Sequence, residues 1–199
     1  RFVEMDSFKS ILRPMGIKII LRTPDDLPQS IDILGYSSNI HDAQQIQMIV
    51  NKVRPKILIH ASDESGDRPE HNEITGVNTI IRQYHWKHYP QKPHIYQIPL
   101  GNHCWSSEML PIVPIDDRRY EFSFIGNNKG EREAQLNELK KPFSKDLYFA
   151  GQTKPSENKV IFSESKFVFC PRGNVVYDCF RNWEAMKNGC IPIVPTDED

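Results

Sequence analysis

Short apolar runs alternate with amphipathic stretches of helical length along most of this chain. Lys56-Ile57-Leu58-Ile59-His60 is nearly continuous in apolar residues, the pattern of a parallel strand covered on both faces. Ahead of it, Ala43, Ile46, Ile49, Val50 and Val53 recur at helical spacing, so a helix is expected from His41-Asp42 until Pro55 stops it. Asp32 to Tyr36, Thr79 to Tyr84 and His94 to Ile98 read as further strands. At the start, a helix over Met5 to Arg13 is expected to end at Pro14 and Gly16 and lead into a strand from Ile17 to Leu21.

Between Gly101 and Arg119 the periodicity is lost. Pro111, Pro114 and the acidic pair Asp116-Asp117 mark a linker, which divides the chain into residues 1–110 and 111–199. A second alternation follows, with strands at Glu121 to Ile125, Asp146 to Ala150, Phe167 to Cys170 and Cys190 to Val194. Helices are expected between them at Gly130 to Leu139, Ser156 to Phe162 and Asp178 to Asn188. Two successive runs of strand and crossover helix predict an α/β protein of two doubly wound parallel sheets facing one another.

Charge narrows the function. Across 199 residues, 25 basic and 26 acidic side chains nearly cancel, so no nucleic-acid surface is expected. No apolar run approaches the ~20 residues that span a bilayer, so no membrane anchor is expected within these residues. The chain opens at Arg1 and stops just after a strand, and is expected to be an excerpt. Cys104, Cys170, Cys179 and Cys190 lack zinc spacing and are expected as buried free thiols. There is no Asn-x-Ser/Thr acceptor, which disfavours a secretory lumen.

Ligands of open α/β sheets sit beyond the carboxyl ends of the strands, and that rule selects the candidate chemistry. In the second half it picks Gly126-Asn127, Gly151-Gln152 and the turn Pro171-Arg172-Gly173. Glycine permits close backbone approach, and the helix opening near Gly130 aims its positive end at the same place. Arg132 in that helix's first turn opposes the macrodipole; it is either a site residue or a solvated surface arginine. Arg181, Glu184 and Asn188 share one stripe of the last helix, with Phe180, Trp183 and Met186 expected to supply its buried side. The pair is either an ordinary i, i+3 ion pair or a cation for a diphosphate and a carboxylate for ribose hydroxyls.

In the first half, His60, Asp63 and Glu64 follow a buried strand directly. A carboxylate there can take the proton of an attacking hydroxyl, or Asp63 can simply cap a turn. Arg82 and His85, with Tyr84 and Trp86, form a mixed cationic and aromatic cluster that could meet an acceptor. Asp197 and Asp199 offer an Asp-x-Asp that could hold Mn²⁺ or Mg²⁺ on a nucleotide diphosphate.

Phe167 to Val194 resembles the C-terminal signature of the exostosin-like glycosyltransferases. The matching residues are Cys170-Pro171-Arg172-Gly173, Arg181, Glu184-Ala185 and Gly189-Cys190-Ile191-Pro192, with Phe124-Ile125-Gly126 and Ile98-Pro99-Leu100-Gly101 as further similar segments. The segment from Asn174 to Asp178 departs from that family's Ser-rich approach to the arginine. The resemblance implies a GT-B fold: two Rossmann-like domains facing across a cleft, acceptor on the first, donor on the second. It implies an inverting transferase that needs no metal or other cofactor and takes a nucleoside-diphosphate sugar, a UDP-sugar, to a glycan or glycoprotein hydroxyl. Asp63 or Glu64 would then be the base, and His60, Arg82 and His85 would meet the acceptor. Gly126, Asn127, Arg132, Arg172, Gly173 and Arg181 would hold the donor diphosphate, and Glu184 its ribose. A Golgi lumen would follow for animal and plant members, a cytoplasmic place for algal or viral ones. The rival expectations are a metal-dependent GT-A transferase using Asp197 and Asp199, and a non-catalytic sugar- or nucleotide-binding scaffold.

Overall fold

The computed structural model describes residues 12–18, 22–84, 89, 91–101, 110–141, 146–173 and 178–195. The chain divides into two compact units, with the break after Leu100.

The first unit carries β1 (Ile33–Ser37), α1 (Ala43–Val53), β2 (Ile57–Ala61), β3 (Thr79–Gln83) and β4 (Ile95–Ile98), the strands pairing in parallel in the order β1-β2-β3-β4. Helix α1 starts where a capping box closes on Asp42 and Gln45: the Gln45 N–H donates to Asp42 Oδ1 at 2.8 Å and the Asp42 N–H to Gln45 Oε1 at 3.3 Å. It ends at Arg54 in the left-handed region (φ 48°), just ahead of Pro55. Its Ile46 and Val50 cover the row Leu34, Leu58, Ile80, Ile95, which lie directly opposite one another across the four strands. Burying each such aliphatic side chain contributes about 1.5–3 kcal/mol. Two residues further along every strand, on the same face, the register aligns a second row: Tyr36, His60, Arg82 and Gln97. Polar groups therefore replace the hydrocarbon core at the carboxyl end of this sheet.

The second unit carries β5 (Tyr120–Ile125), α2 (Arg132–Lys140), β6 (Leu147–Ala150), α3 (Pro155–Ser163), β7 (Ser165–Phe169), α4 (Phe180–Lys187) and β8 (Ile191–Ile193). Its sheet is also parallel, in the order β6-β5-β7-β8. Leu136 of α2 packs with Phe122, Phe124 and Phe169. Phe162 of α3 and Ala185 of α4 pack with Ile125 and Val168 instead. These residues alternate along β5 and β7, so α2 covers one face of the sheet while α3 and α4 cover the other. The direction of strand progression reverses between β5 and β7.

Both units are thus four-stranded parallel sheets with flanking helices, an α/β architecture. Among the described strands the second sheet reverses direction as a doubly wound sheet does, while those of the first run in one direction. Ile17 and Lys18 lie in no strand; Leu12 is helical and runs into the 3₁₀ turn Arg13–Met15, which Gly16 ends at φ 76°. The expected helix from Met5 and residues 19–21 of the expected strand lie outside the described residues. Among the described residues no helix is long and apolar enough to cross a membrane.

Candidate functional site

The reversal in the second sheet puts the loops after β5 and β7 side by side at its carboxyl edge, the place where open sheets hold ligands. Gly126 and Asn127 leave β5, and Pro171, Arg172 and Gly173 follow β7. Arg132, the first residue of α2, ties the two loops together. Its Nη1 donates to the Asn127 carbonyl at 2.9 Å, and its Nη2 donates to the carbonyls of Arg172 at 2.7 Å and Gly173 at 2.8 Å. The guanidinium that opposed the helix dipole in sequence is therefore a brace of the loop pair. Arg172 itself is exposed at this edge.

Arg181 enters from α4. Its Nε donates to the Ile125 carbonyl at 3.0 Å, and its guanidinium lies 5.1 Å from the centre of the Phe124 ring. Those contacts fix the fork directly beside Gly126 (φ +150°), where an added Cβ would stand 2.5 Å from Arg181 Nη2. The conformation favours glycine here, and an added Cβ would have to displace the end of the Arg181 side chain. Glu184, one turn along α4, does not form the i, i+3 ion pair with Arg181 that its spacing allowed: no contact within ion-pair distance joins them. Burial raises its pKa to about 6, with Arg181 and Lys187 pulling it back down.

This orientation corrects the expected facing of α4. Ala185 and Asn188 are the buried positions, and Met186 is 46% exposed. The small Ala185 side chain lets the helix settle against Cys170 and Cys190, which turns the neighbouring Arg181 and Glu184 inward. Asn188 closes the helix, its Nδ2 donating to the Glu184 carbonyl at 2.7 Å. Cys170, Cys179 and Cys190 are free thiols. Burial pushes the Cys190 thiol up to about 12 and raises Cys170 as well.

In the first unit His60, Asp63 and Arg82 come together, but inside the protein, with 1%, 2% and 1% exposure. Arg82 Nη2 donates to Asp63 Oδ2 at 2.6 Å and Nη1 to Asn72 Oδ1 at 2.5 Å. Tyr89 Oη also donates to Asp63 Oδ2, at 3.1 Å, and its ring lies 4.6 Å from the guanidinium. Burial and the Asp63 charge push the Tyr89 hydroxyl up to about 12. The His60 ring stacks between Tyr36 (centroids 5.0 Å apart, planes 2° apart) and His71 (4.7 Å). Neither of its nitrogens has a hydrogen-bond partner in the protein, and burial, then His71 and Arg82, lower its pKa to about 2. It is a neutral, packed ring. Glu64, next to Asp63, is only half-buried.

Sequence reading missed Asn72, His71 and Tyr89, which reach this cluster from elements after the sheet strands. It also missed Arg118, a buried guanidinium that donates to the Ser165 carbonyl at 2.7 Å and to the Val113 carbonyl at 2.9 and 3.0 Å. His85, Trp86, Cys104, Asp197 and Asp199 lie outside the described residues. Among the described residues no group of three or more His, Cys, Asp or Glu could hold a metal.

No family model matches this sequence, and no curated protein does. Among solved structures, the chain is similar to an alpha-glucosyltransferase in complex with UDP-glucose and DNA containing an abasic site, with 10% identity and a TM-score of 0.42. The match covers 82% of this chain and 60% of that one. A likeness at that level carries no argument about this site.

Proposed function

We propose that this chain is a glycosyltransferase moving a sugar from a nucleoside-diphosphate donor, a UDP-sugar, to a glycan hydroxyl with inversion. The observation that carries it is the strand-order reversal in the second sheet, where the anchored Arg181 fork stands beside Gly126 with Glu184 one turn on. Such a crevice fits a diphosphate and its ribose. In the proposed step the acceptor oxygen attacks the anomeric carbon and gives its proton to a carboxylate, Glu64 ahead of Asp63. The bond from that carbon to the donor phosphate breaks. Arg181 and Arg172 then stabilise the charge that develops on the departing diphosphate. The GT-B pairing of the two units, with acceptor on the first and donor on the second, belongs to the same proposal, as does the exostosin-like kinship. No metal or cofactor is invoked.

The test is calorimetric titration with UDP and GDP, each with and without EDTA. The reading expects metal-independent UDP binding. Absence of binding to either nucleotide would overturn it.

Two variants sharpen the site. Gly126→Ala must push the Arg181 fork aside and hold a side chain in a strained conformation. Stability should fall by about 1–3 kcal/mol and UDP binding should weaken with it. Urea melts and titration check both, and unchanged UDP affinity would remove Gly126 from the site. For Glu184 the useful variable is pH, read with uridine, which lacks a phosphate that titrates in the same range. The ionised carboxylate is the stronger acceptor, so uridine affinity should rise about 5-fold as pH climbs through about 6. Glu184→Gln should flatten that profile. Stability should move the other way. The folded pKa of about 6 lies above the ordinary 4.5, so the folded state favours the protonated form. That contribution is full below 4.5 and disappears as pH rises through 6.

A further inference from the structure

We propose that the first unit binds a neutral pyranose ring in a pocket of about 290 Å³ beside β4, between Asn72, Arg82, Tyr89, Lys92, Tyr96 and Gln97. The volume sits just below the ~300–1,000 Å³ of sites for drug-sized ligands, which suits one or two sugar rings better than a nucleotide. The lining contains no carboxylate, and both of its cations are already neutralised. Asp63 lies 2.6 Å from Arg82 and Glu73 lies 2.6 Å from Lys92. An anion would find no uncompensated charge there. Carboxamides offer donors and acceptors together, as ring hydroxyls require. Tyr96, 57% exposed, offers an aromatic face.

One side of the wall is fixed: Arg82 is clamped by Asn72 and Asp63 and lies over Tyr89. The backbone is also strained where β2 and β3 end. Ser62 after β2 has φ 72° and Tyr84 after β3 has φ 65°, left-handed conformations that cost a bulky residue most. Strain of this kind gathers at ligand sites, where the surroundings over-determine it. The pocket's use of this ring as an acceptor rests on the transferase reading; the binding itself rests on the lining alone.

The experiment is an NMR titration of the full chain with the methyl pyranosides of glucose, galactose, mannose and xylose. Glucuronate and inorganic phosphate serve as anionic comparators, and UDP is titrated in a separate sample. At least one methyl pyranoside should shift the Tyr96 and Gln97 amides, with an affinity that falls about 3- to 10-fold in Tyr96→Ala. Gln91→Ala, an exposed change in the same lining, gives a second reading if Tyr96→Ala folds poorly. The proposal is overturned if no pyranoside moves these signals, if only the anions do, or if both variants bind as the parent does. UDP binding without pyranoside binding rejects the pocket alone. Pyranoside binding without UDP binding rejects the transferase reading and keeps the pocket.

Discussion

Asp63→Leu should unfold most of the first unit near physiological temperature. Its carboxylate and the Arg82 guanidinium are both 1% exposed and 2.6 Å apart. Removing one partner leaves the other charge buried without compensation, at a cost of about 3–5 kcal/mol. A whole domain holds only about 5–15 kcal/mol in reserve. For a unit of this size that should lower the melting temperature by at least about 12 °C. The same logic predicts that Arg82→Met is about as harmful, and that the double variant Asp63→Leu/Arg82→Met recovers much of the loss. Two apolar side chains of similar volume leave no orphaned charge. Thermal and urea melts of the four proteins close the cycle. Should Asp63→Leu melt like the parent yet lose all transferase activity, the carboxylate is a catalytic base and the structural account of the pair is wrong.

The distinction between those two outcomes was out of reach of the sequence. Asp63 follows a buried strand in the position of either a base or a brace, and only the partners decide. Arg82 and Tyr89, which hold its carboxylate, lie 19 and 26 residues away, and Asn72, which holds Arg82, comes from a third element with no shared motif. The polar row did leave a trace. In each strand of the first sheet a polar or amphipathic residue follows two places after a core aliphatic, as in Leu34 and Tyr36, Leu58 and His60, Ile80 and Arg82, Ile95 and Gln97. Read in parallel register, those four pairs form one apolar and one polar layer.

The alternation of strands and helices was legible because periodicity reports which faces are covered, and both sheets are covered. Strand order was not. Sequence gives the succession β5, β6, β7, but the reversal that places β5 beside β7 is a property of how the helices distribute over the two faces. The facing of α4 was misread for a related reason. Hydrophobicity alone points Phe180, Trp183 and Met186 inward, whereas the close approach permitted by Ala185 brings the polar stripe toward the sheet.

That inward stripe carries the second large effect. Arg181→Met should weaken UDP binding by about 10- to 100-fold, the usual value of hydrogen bonds to a charged partner, while uridine binding changes little. Methionine keeps an unbranched chain to lie over Phe124, so the packing survives and the loss is that of the charge and its forked donors. The lost Ile125 carbonyl bond costs stability only about 1 kcal/mol, small enough to leave the unit folded for the measurement. Two signatures separate a phosphate ligand from a merely structural arginine. First, UDP must suffer more than uridine, because only UDP carries the group that Arg181 is proposed to hold. Second, UDP binding to the parent should weaken with added salt, and the variant should lose most of that sensitivity. Arg181→Lys restores the charge without the fork, and should recover the salt dependence but not the full affinity. Equal losses for UDP and uridine would instead make Arg181 a prop for the β5 loop, and the diphosphate would have to be sought elsewhere.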